Sequence, residues 1–204
     1  SDNLTQGPEI ELFENNLKKL TKSKHAIVVN SSTSALHLSC LALGLKKGDY
    51  LWTSTTSFVA SSNCGLYCDA KIDFVDIDLN DYNIDIIQLK KKLKEAKKKN
   101  KLPKILVVVH LAGISCKMNE IKKLSKIYKF FVIEDACHAI SGKFKNSMVG
   151  SCKYSDITTF SFHAIKNITS GEGGAVMTNN SDIARKLVLL RTHGITRDKK
   201  FFSK

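Results

Sequence analysis

Short apolar runs rich in β-branched and aromatic residues alternate along the chain with stretches whose apolar positions recur every three or four residues. The short runs, at 25–29, 50–53, 72–76, 105–110, 130–134, 157–162 and 174–177, are bounded by turn or polar residues and predict seven strands. The longer period predicts helices over 10–20, 34–43 with Gly44 as its stop, 60–67, 86–99, 118–128 and 181–192. Runs such as KILVVVH and FFVIED leave no polar face, as strands of a parallel sheet must when helices cover both sides. Right-handed crossovers between them give an α/β chain built on an open, doubly covered sheet. No internal linker interrupts the rhythm.

Composition narrows the class without changing it. A chain of 204 residues, 43% of them hydrophobic, supports one substantial domain or two small ones and excludes disorder as the main state. Apolar runs of about 18 residues are absent, and SDNLTQGPEI has neither the basic nor the apolar region of a signal peptide, so neither a membrane span nor a leader is expected. With 2 Pro, 11 Gly and no short repeat, collagen-like, low-complexity and solenoid architectures are excluded.

Charge suggests nucleic acid until its location is considered. Residues 90–104 (KKKLKEAKKKNKLPK) hold nine Lys and one Glu, a local +8 out of the total of +13. Leu89 and Leu93 stand at helical spacing beside this run, which reads as the solvated face of a surface helix ending at Pro103. A nucleic-acid surface would favour Arg with interleaved aromatics, yet Arg occurs only at Arg185, Arg191 and Arg197 and the run has no aromatic. Neither nucleic acid nor membrane is expected as a partner. The cysteines at 40, 64, 68, 116, 137 and 152 are scattered, several inside apolar segments, which fits free thiols in a reducing cytoplasm. Cys64 and Cys68 lack a second ligand pair, and the adjacent Cys137 and His138 cannot easily share one ion, so no metal is expected.

Ligands of open parallel sheets bind beyond the carboxyl ends of the strands, so polar residues there are the candidates for chemistry. Asn30-Ser31-Ser32-Thr33-Ser34 joins a strand to a helix. Free N–H groups, the helix dipole and four hydroxyls make an anion site there, against the simpler reading of one N-cap. Asp135, in Glu134-Asp135-Ala136-Cys137-His138, is either a cap or a buried partner for a cationic ring nitrogen. Lys166 stands among small and apolar residues before Gly171-Glu172-Gly173-Gly174, as a nucleophilic amine would, whereas a surface Lys is the commoner case in a Lys-rich chain. The glycines would let backbone approach a ligand. Phe58 follows a strand and by itself reads as core. The dinucleotide and P-loop glycine patterns are both missing.

Together these segments resemble the fold-type I, pyridoxal-phosphate-dependent sugar aminotransferases of the DegT/DnrJ/EryC1/StrS family. LTQGPEIELFE is similar to the family's opening segment, SSTSALHL to its phosphate turn, SFVASSNC to its ring-stacking segment, VIEDACHAISG to its pyridine-nitrogen segment and FSFHAIKNITSGEGG to its Schiff-base loop. TQGP, NCGLYCDA, DLNDYNID, GSCKYSD and RTHGITRD are most similar to the pseudaminic-acid branch, which aminates a UDP-linked 4-keto-6-deoxy-N-acetylhexosamine, in this family usually at the expense of glutamate. One departure is Ser32, where the family usually has Gly.

The resemblance implies that Lys166 holds pyridoxal phosphate covalently and later moves a proton. It implies that Asp135 keeps the pyridine nitrogen protonated, that Thr33, Ser34 and Ser161 hold the phosphate, that Phe58 stacks on the ring and that His138 lies near it. It gives His163, beside the lysine, no role. It further implies a homodimer and a large domain with a mostly parallel seven-stranded sheet. Residues 1–24 would form an arm and helix, 25–180 the cofactor-binding domain, and 181–204 the start of a connection to a small C-terminal domain missing from this chain. Fold alone leaves open a non-enzymatic scaffold, against which Lys166 argues, because such a scaffold needs no amine there.

Overall fold

The computed structural model of the chain describes residues 7–195. Helix α1 (Pro8–Thr21) leads into strand β1 (His25–Val29), followed by α2 (Ser32–Ala42), β2 (Tyr50–Ser54), α3 (Ala60–Leu66) and β3 (Lys71–Val75). Next come α4 (Ile86–Lys98), β4 (Ile105–Val109), α5 (Met118–Tyr128) and β5 (Phe131–Asp135). A small hairpin, β6 (Lys143–Phe144) and β7 (Ser147–Met148), precedes β8 (Ile157–Ser161), β9 (Gly174–Thr178) and α6 (Ser181–Arg191).

Seven of the strands form one sheet in the order β1-β9-β8-β5-β4-β2-β3. β2 pairs parallel with β3 and β4, β4 with β5, and β5 with β8, while β9 runs antiparallel to both its neighbours. The reversal at β9 has a simple cause. Residues 162–173, between β8 and β9, form no helix, and without a crossover helix the chain cannot return to the far end of the sheet to start a parallel strand. It therefore turns back at the carboxyl end of β8, and this return loop carries Lys166.

Alternation along the strands sorts side chains to the two faces. Ile105, Val107 and Ile133 pack with Leu36 of α2, Cys64 of α3 and Leu187 of α6. Leu106, Val108 and Val132 point the other way, against Leu89 and Leu93 of α4 and Ile121 and Leu124 of α5. At roughly 25 cal/mol per Å² of apolar surface removed from water, these two layers dominate the stabilisation. Their parity also fixes the site, since Asp135 follows Ile133 by two positions and Ser161 follows Ile157 by four, so both share the α2/α3 face.

The lysine-rich run begins as the outer face of α4 and continues past its end at Lys98. Asp85 caps that helix through Ile87 N–H and Gln88 N–H, and Ile86, Leu89, Leu93 and Ala96 turn inward. Lys92 pairs with Asp73 at 2.7 Å, a surface pair that contributes under about 1 kcal/mol. Most of the expected boundaries move by one or two residues. α2 begins at Ser32 rather than Ser34 because Ser31 is its cap, and β5 ends on Asp135 rather than Glu134. The β6–β7 hairpin, with two residues per strand, lay outside the expected strands, as did a single 3-10 turn at Leu111–Gly113. Among the described residues no helix is long and apolar enough to cross a membrane, and no cluster of three or more His, Cys, Asp or Glu could hold a metal ion.

Candidate active site

The carboxyl ends of β4, β5 and β8 surround a cavity of about 570 Å³. Strand order explains its position. The chain builds β3 on one side of β2 and β4, β5 and β8 on the other, and such a change of direction opens a crevice between the loops that leave in opposite directions.

The α2 end supplies an anion-binding wall. Ser31 is extended (φ −162°, ψ 162°) and its Oγ accepts from Ser34 N–H at 3.1 Å, capping α2. Ser31, Ser32 and Thr33 line the cavity. Ser34 does not: its hydroxyl accepts from Ser31 Oγ at 3.1 Å, and the residue lines the neighbouring cleft beside His37 and Arg191. The turn stays tight because Gly174 opens β9 against it. A Cβ at Gly174 would lie 2.4 Å from Ser31 C and O and 2.6 Å from Ser32 N. Here, then, the glycine serves a contact within the chain rather than with a ligand.

Asp135 lines the same cavity. It is buried, and its two oxygens accept hydrogen bonds from Ser61 Oγ at 2.7 Å and from Cys137 N–H at 3.3 Å. A buried carboxylate with two donors is held ready for a cationic partner. Behind it, Glu134 faces the α4/α5 side and accepts from His110 Nε2 at 2.7 Å, Ser155 Oγ at 2.5 Å and Thr158 Oγ1 at 3.3 Å. Cys116 N–H donates to His110 Nδ1 at 3.2 Å, which leaves the ring proton on Nε2 for Glu134. Burial alone would raise the Glu134 carboxyl, but the hydrogen bonds from His110, Ser155 and Thr158 outweigh it and hold the group below its usual range.

Lys166 enters from the return loop. Ser161 Oγ accepts His163 N–H at 3.3 Å, Lys166 N–H bonds His163 O at 2.9 Å, and Thr169 and Ser170 both donate to Phe162 O. His163 Nε2 lies 3.6 Å from Glu172 Oε1 across the loop. His138 also faces the cavity; burial first, and then the Lys166 ammonium, lower its pKa. Burial and the Asp135 charge push the Cys137 thiol well above its usual value, so it is a neutral wall residue and not a nucleophile. Phe58 stands at the mouth, 70% exposed.

Six of the seven residues singled out from the sequence, Thr33, Phe58, Asp135, His138, Ser161 and Lys166, therefore line one cavity, and Ser34 lies beside it. Sequence reasoning did not assign Ser61, Ser31, His110 or Glu172. Ser61 carried a signal only as one hydroxyl among several in SFVASSNC, and His110 only as the polar end of KILVVVH.

The profile of the DegT/DnrJ/EryC1/StrS aminotransferase family matches residues 1–204. The chain belongs to that family. It is 44% identical over 195 residues to a UDP-4-amino-4,6-dideoxy-N-acetyl-beta-L-altrosamine transaminase of Campylobacter jejuni, covering 95% of this chain and 50% of the relative. An uncharacterised protein of Methanocaldococcus jannaschii is 42% identical over 198 residues, covering 97% and 49%. Among solved structures, Helicobacter pylori PseC, an aminotransferase involved in the biosynthesis of pseudoaminic acid, superposes with a TM-score of 0.88 at 37% identity, over 100% of this chain and 53% of its own. A Bacillus subtilis protein solved with bound cofactor PMP gives a TM-score of 0.79 at 32% identity, over 91% and 40%. The chain spans about half the length of the curated relatives it matches. Its mostly parallel seven-stranded α/β sheet belongs to the fold it shares with solved aminotransferases such as PseC. Ser32, where that family usually has Gly, is the first helical residue of α2 and has no left-handed backbone angle, so a side chain fits there without strain.

Proposed function

We propose that this chain is the cofactor-binding part of a cytoplasmic, homodimeric aminotransferase. It would transfer an amino group from glutamate to the C4 keto group of a UDP-linked 4-keto-6-deoxy-N-acetylhexosamine, with pyridoxal phosphate as cofactor. One observation carries the reading: Lys166 shares a cavity with the buried carboxylate of Asp135 and with the N-terminal turn of α2. Amine, carboxylate and anion turn are the three parts that this cofactor's aldehyde, ring nitrogen and phosphate require. The named Campylobacter relative and PseC support the sugar substrate. Apolar side chains at the mouth, Phe58, Val59 at 56% and Ile165 at 80% exposed, support a second copy covering them.

The residues present fit the cofactor. Bound, pyridoxal phosphate supplies a reactive carbonyl carbon and a ring that draws electrons from it. Ser32 and Thr33 offer hydroxyls and N–H groups at the positive end of an 11-residue helix, and Ser161 lines the same cavity with its hydroxyl, to bind a phosphate dianion. Asp135 would accept the ring N–H hydrogen bond and hold that proton in place by its charge. Lys166 supplies the anchoring amine. With its Nζ free, Lys166 would be the base that carries a proton between the substrate carbon and the cofactor's carbonyl-derived carbon. Phe58 and His138 line the cavity and would pack against the ring.

The test is product detection by mass spectrometry, with the UDP-linked 4-keto sugar, glutamate and pyridoxal phosphate. An aminated UDP sugar appearing with stoichiometric 2-oxoglutarate supports the proposal. No amination of any nucleotide-linked keto sugar, with the cofactor bound, would refute the substrate assignment.

A further inference from the structure

Asp135 and Ser61 are far apart in sequence, yet Ser61 Oγ donates to Asp135 Oδ2 at 2.7 Å with both residues buried. Ser61 stands in the first turn of α3, and its own N–H is held by Phe58 O at 3.1 Å. How deep α3 sits is set by Gly65. A Cβ there would lie 2.5 Å from Ile72 Cδ1 and 3.1 Å from Leu51 Cβ, so a larger residue would have to push these side chains aside for the helix to rest this close to β2 and β3. The result is one rigid unit that carries both the aromatic at the cavity mouth and a donor aimed at the carboxylate.

Resting on the reading that the cavity takes pyridoxal phosphate, we propose that Ser61, seated by Gly65, is a positioning residue that keeps the Asp135 carboxylate oriented toward the cofactor's ring nitrogen. The physical reason lies in the shared proton. A hydrogen bond given to a carboxylate favours its charged form and lowers its appetite for a proton. Asp135 receives two, from Ser61 Oγ and from Cys137 N–H. With both in place the proton between carboxylate and ring stays on the nitrogen, where it draws electrons. Without the Ser61 bond the buried oxygen lacks a partner and competes for that proton. Cys137 N–H is a backbone group that survives any substitution other than proline, which leaves Ser61 as the side-chain donor.

The experiment loads the chain with pyridoxal phosphate labelled with ¹⁵N in the ring and reads the ring-nitrogen chemical shift by NMR, in wild type, Ser61→Ala and Ser61→Thr. Wild type should show a protonated ring nitrogen. Ser61→Ala should move it toward the unprotonated position and slow the half-reaction with glutamate by about tenfold or more. Ser61→Thr, which keeps the hydroxyl, should restore both. Should Ser61→Ala fail to fold, Ser61→Cys, with similar volume and a weaker donor, should show the same shift. Equal ring-nitrogen shifts in wild type and Ser61→Ala, or in Ser61→Cys where it substitutes, overturn the inference and leave the aminotransferase reading standing. An unprotonated ring nitrogen in wild type overturns the Asp135 role itself, and the inference with it.

Discussion

Gly174→Ala tests whether the anion turn is built as described. The added Cβ meets backbone rather than side chains, at 2.4 Å from Ser31 C and O and 2.6 Å from Ser32 N. Backbone cannot swing aside as a flexible side chain can, so either β9 lifts away from β1 and β8 or the start of α2 moves outward. Overpacking of this kind costs about 1–3 kcal/mol, and a contact this short with main chain belongs at the upper end. For a urea slope of about 2 kcal/mol per M, that lowers the unfolding midpoint by roughly 1–1.5 M. Gly171 supplies the control. It has φ +79° and nothing within 4 Å of its Cβ position, so Gly171→Ala suffers only the left-handed backbone penalty of about 1–2 kcal/mol. Urea unfolding with and without saturating pyridoxal phosphate separates the two effects. Gly174→Ala should be the less stable variant and should also lose most of the stabilisation by cofactor, because Ser31, Ser32 and Thr33 are the atoms displaced. Stability within about 0.5 kcal/mol of wild type would refute the packing argument. Destabilisation with cofactor affinity intact would show that the phosphate binds elsewhere.

Asp135→Asn keeps size and hydrogen bonding but removes the charge beside the ring nitrogen. Cofactor should still bind, while the half-reaction with glutamate slows by orders of magnitude, as expected for a charge-assisted pair contributing roughly 3 kcal/mol or more; an unchanged rate in stopped-flow absorbance would remove that role. Glu134→Gln probes the buried pair with His110. The folded-state carboxyl is held below its usual range, so its contribution is present above an unfolded value of about 4.3 and is lost as pH falls through the lower folded value. Acid unfolding followed by circular dichroism should therefore fall less steeply below about pH 5 in Glu134→Gln than in wild type, from a lower starting stability. Identical slopes would contradict the assignment of charge to Glu134.

Much of the fold was legible because parallel strands covered on both faces leave unbroken apolar runs. KILVVVH and FFVIED read as strands, and β4 proved to be buried along its whole length. The direction of β9 was not legible, since GAVMT looks the same in either sense; only the helix-free connection before it sets the reversal. The hairpin at Lys143–Phe144 and Ser147–Met148 was too short for any alternation to register. In the site, residues at strand ends were found because strand ends are predictable. Consecutive hydroxyls were harder: Ser31 to Ser34 all looked alike, and which of them faces the cavity depends on where the helix starts, fixed by the Ser31 cap and the Gly174 contact. Ser61 became visible only in the folded chain, because its partner Asp135 lies in a distant segment.

The most direct test of the account is the absorbance spectrum of the chain with pyridoxal phosphate, taken before and after glutamate, alongside Lys166→Ala. The account predicts a band beyond about 400 nm that glutamate bleaches in wild type and that never forms in Lys166→Ala. A band of equal intensity in Lys166→Ala, or a wild-type band that glutamate leaves unchanged, would contradict it.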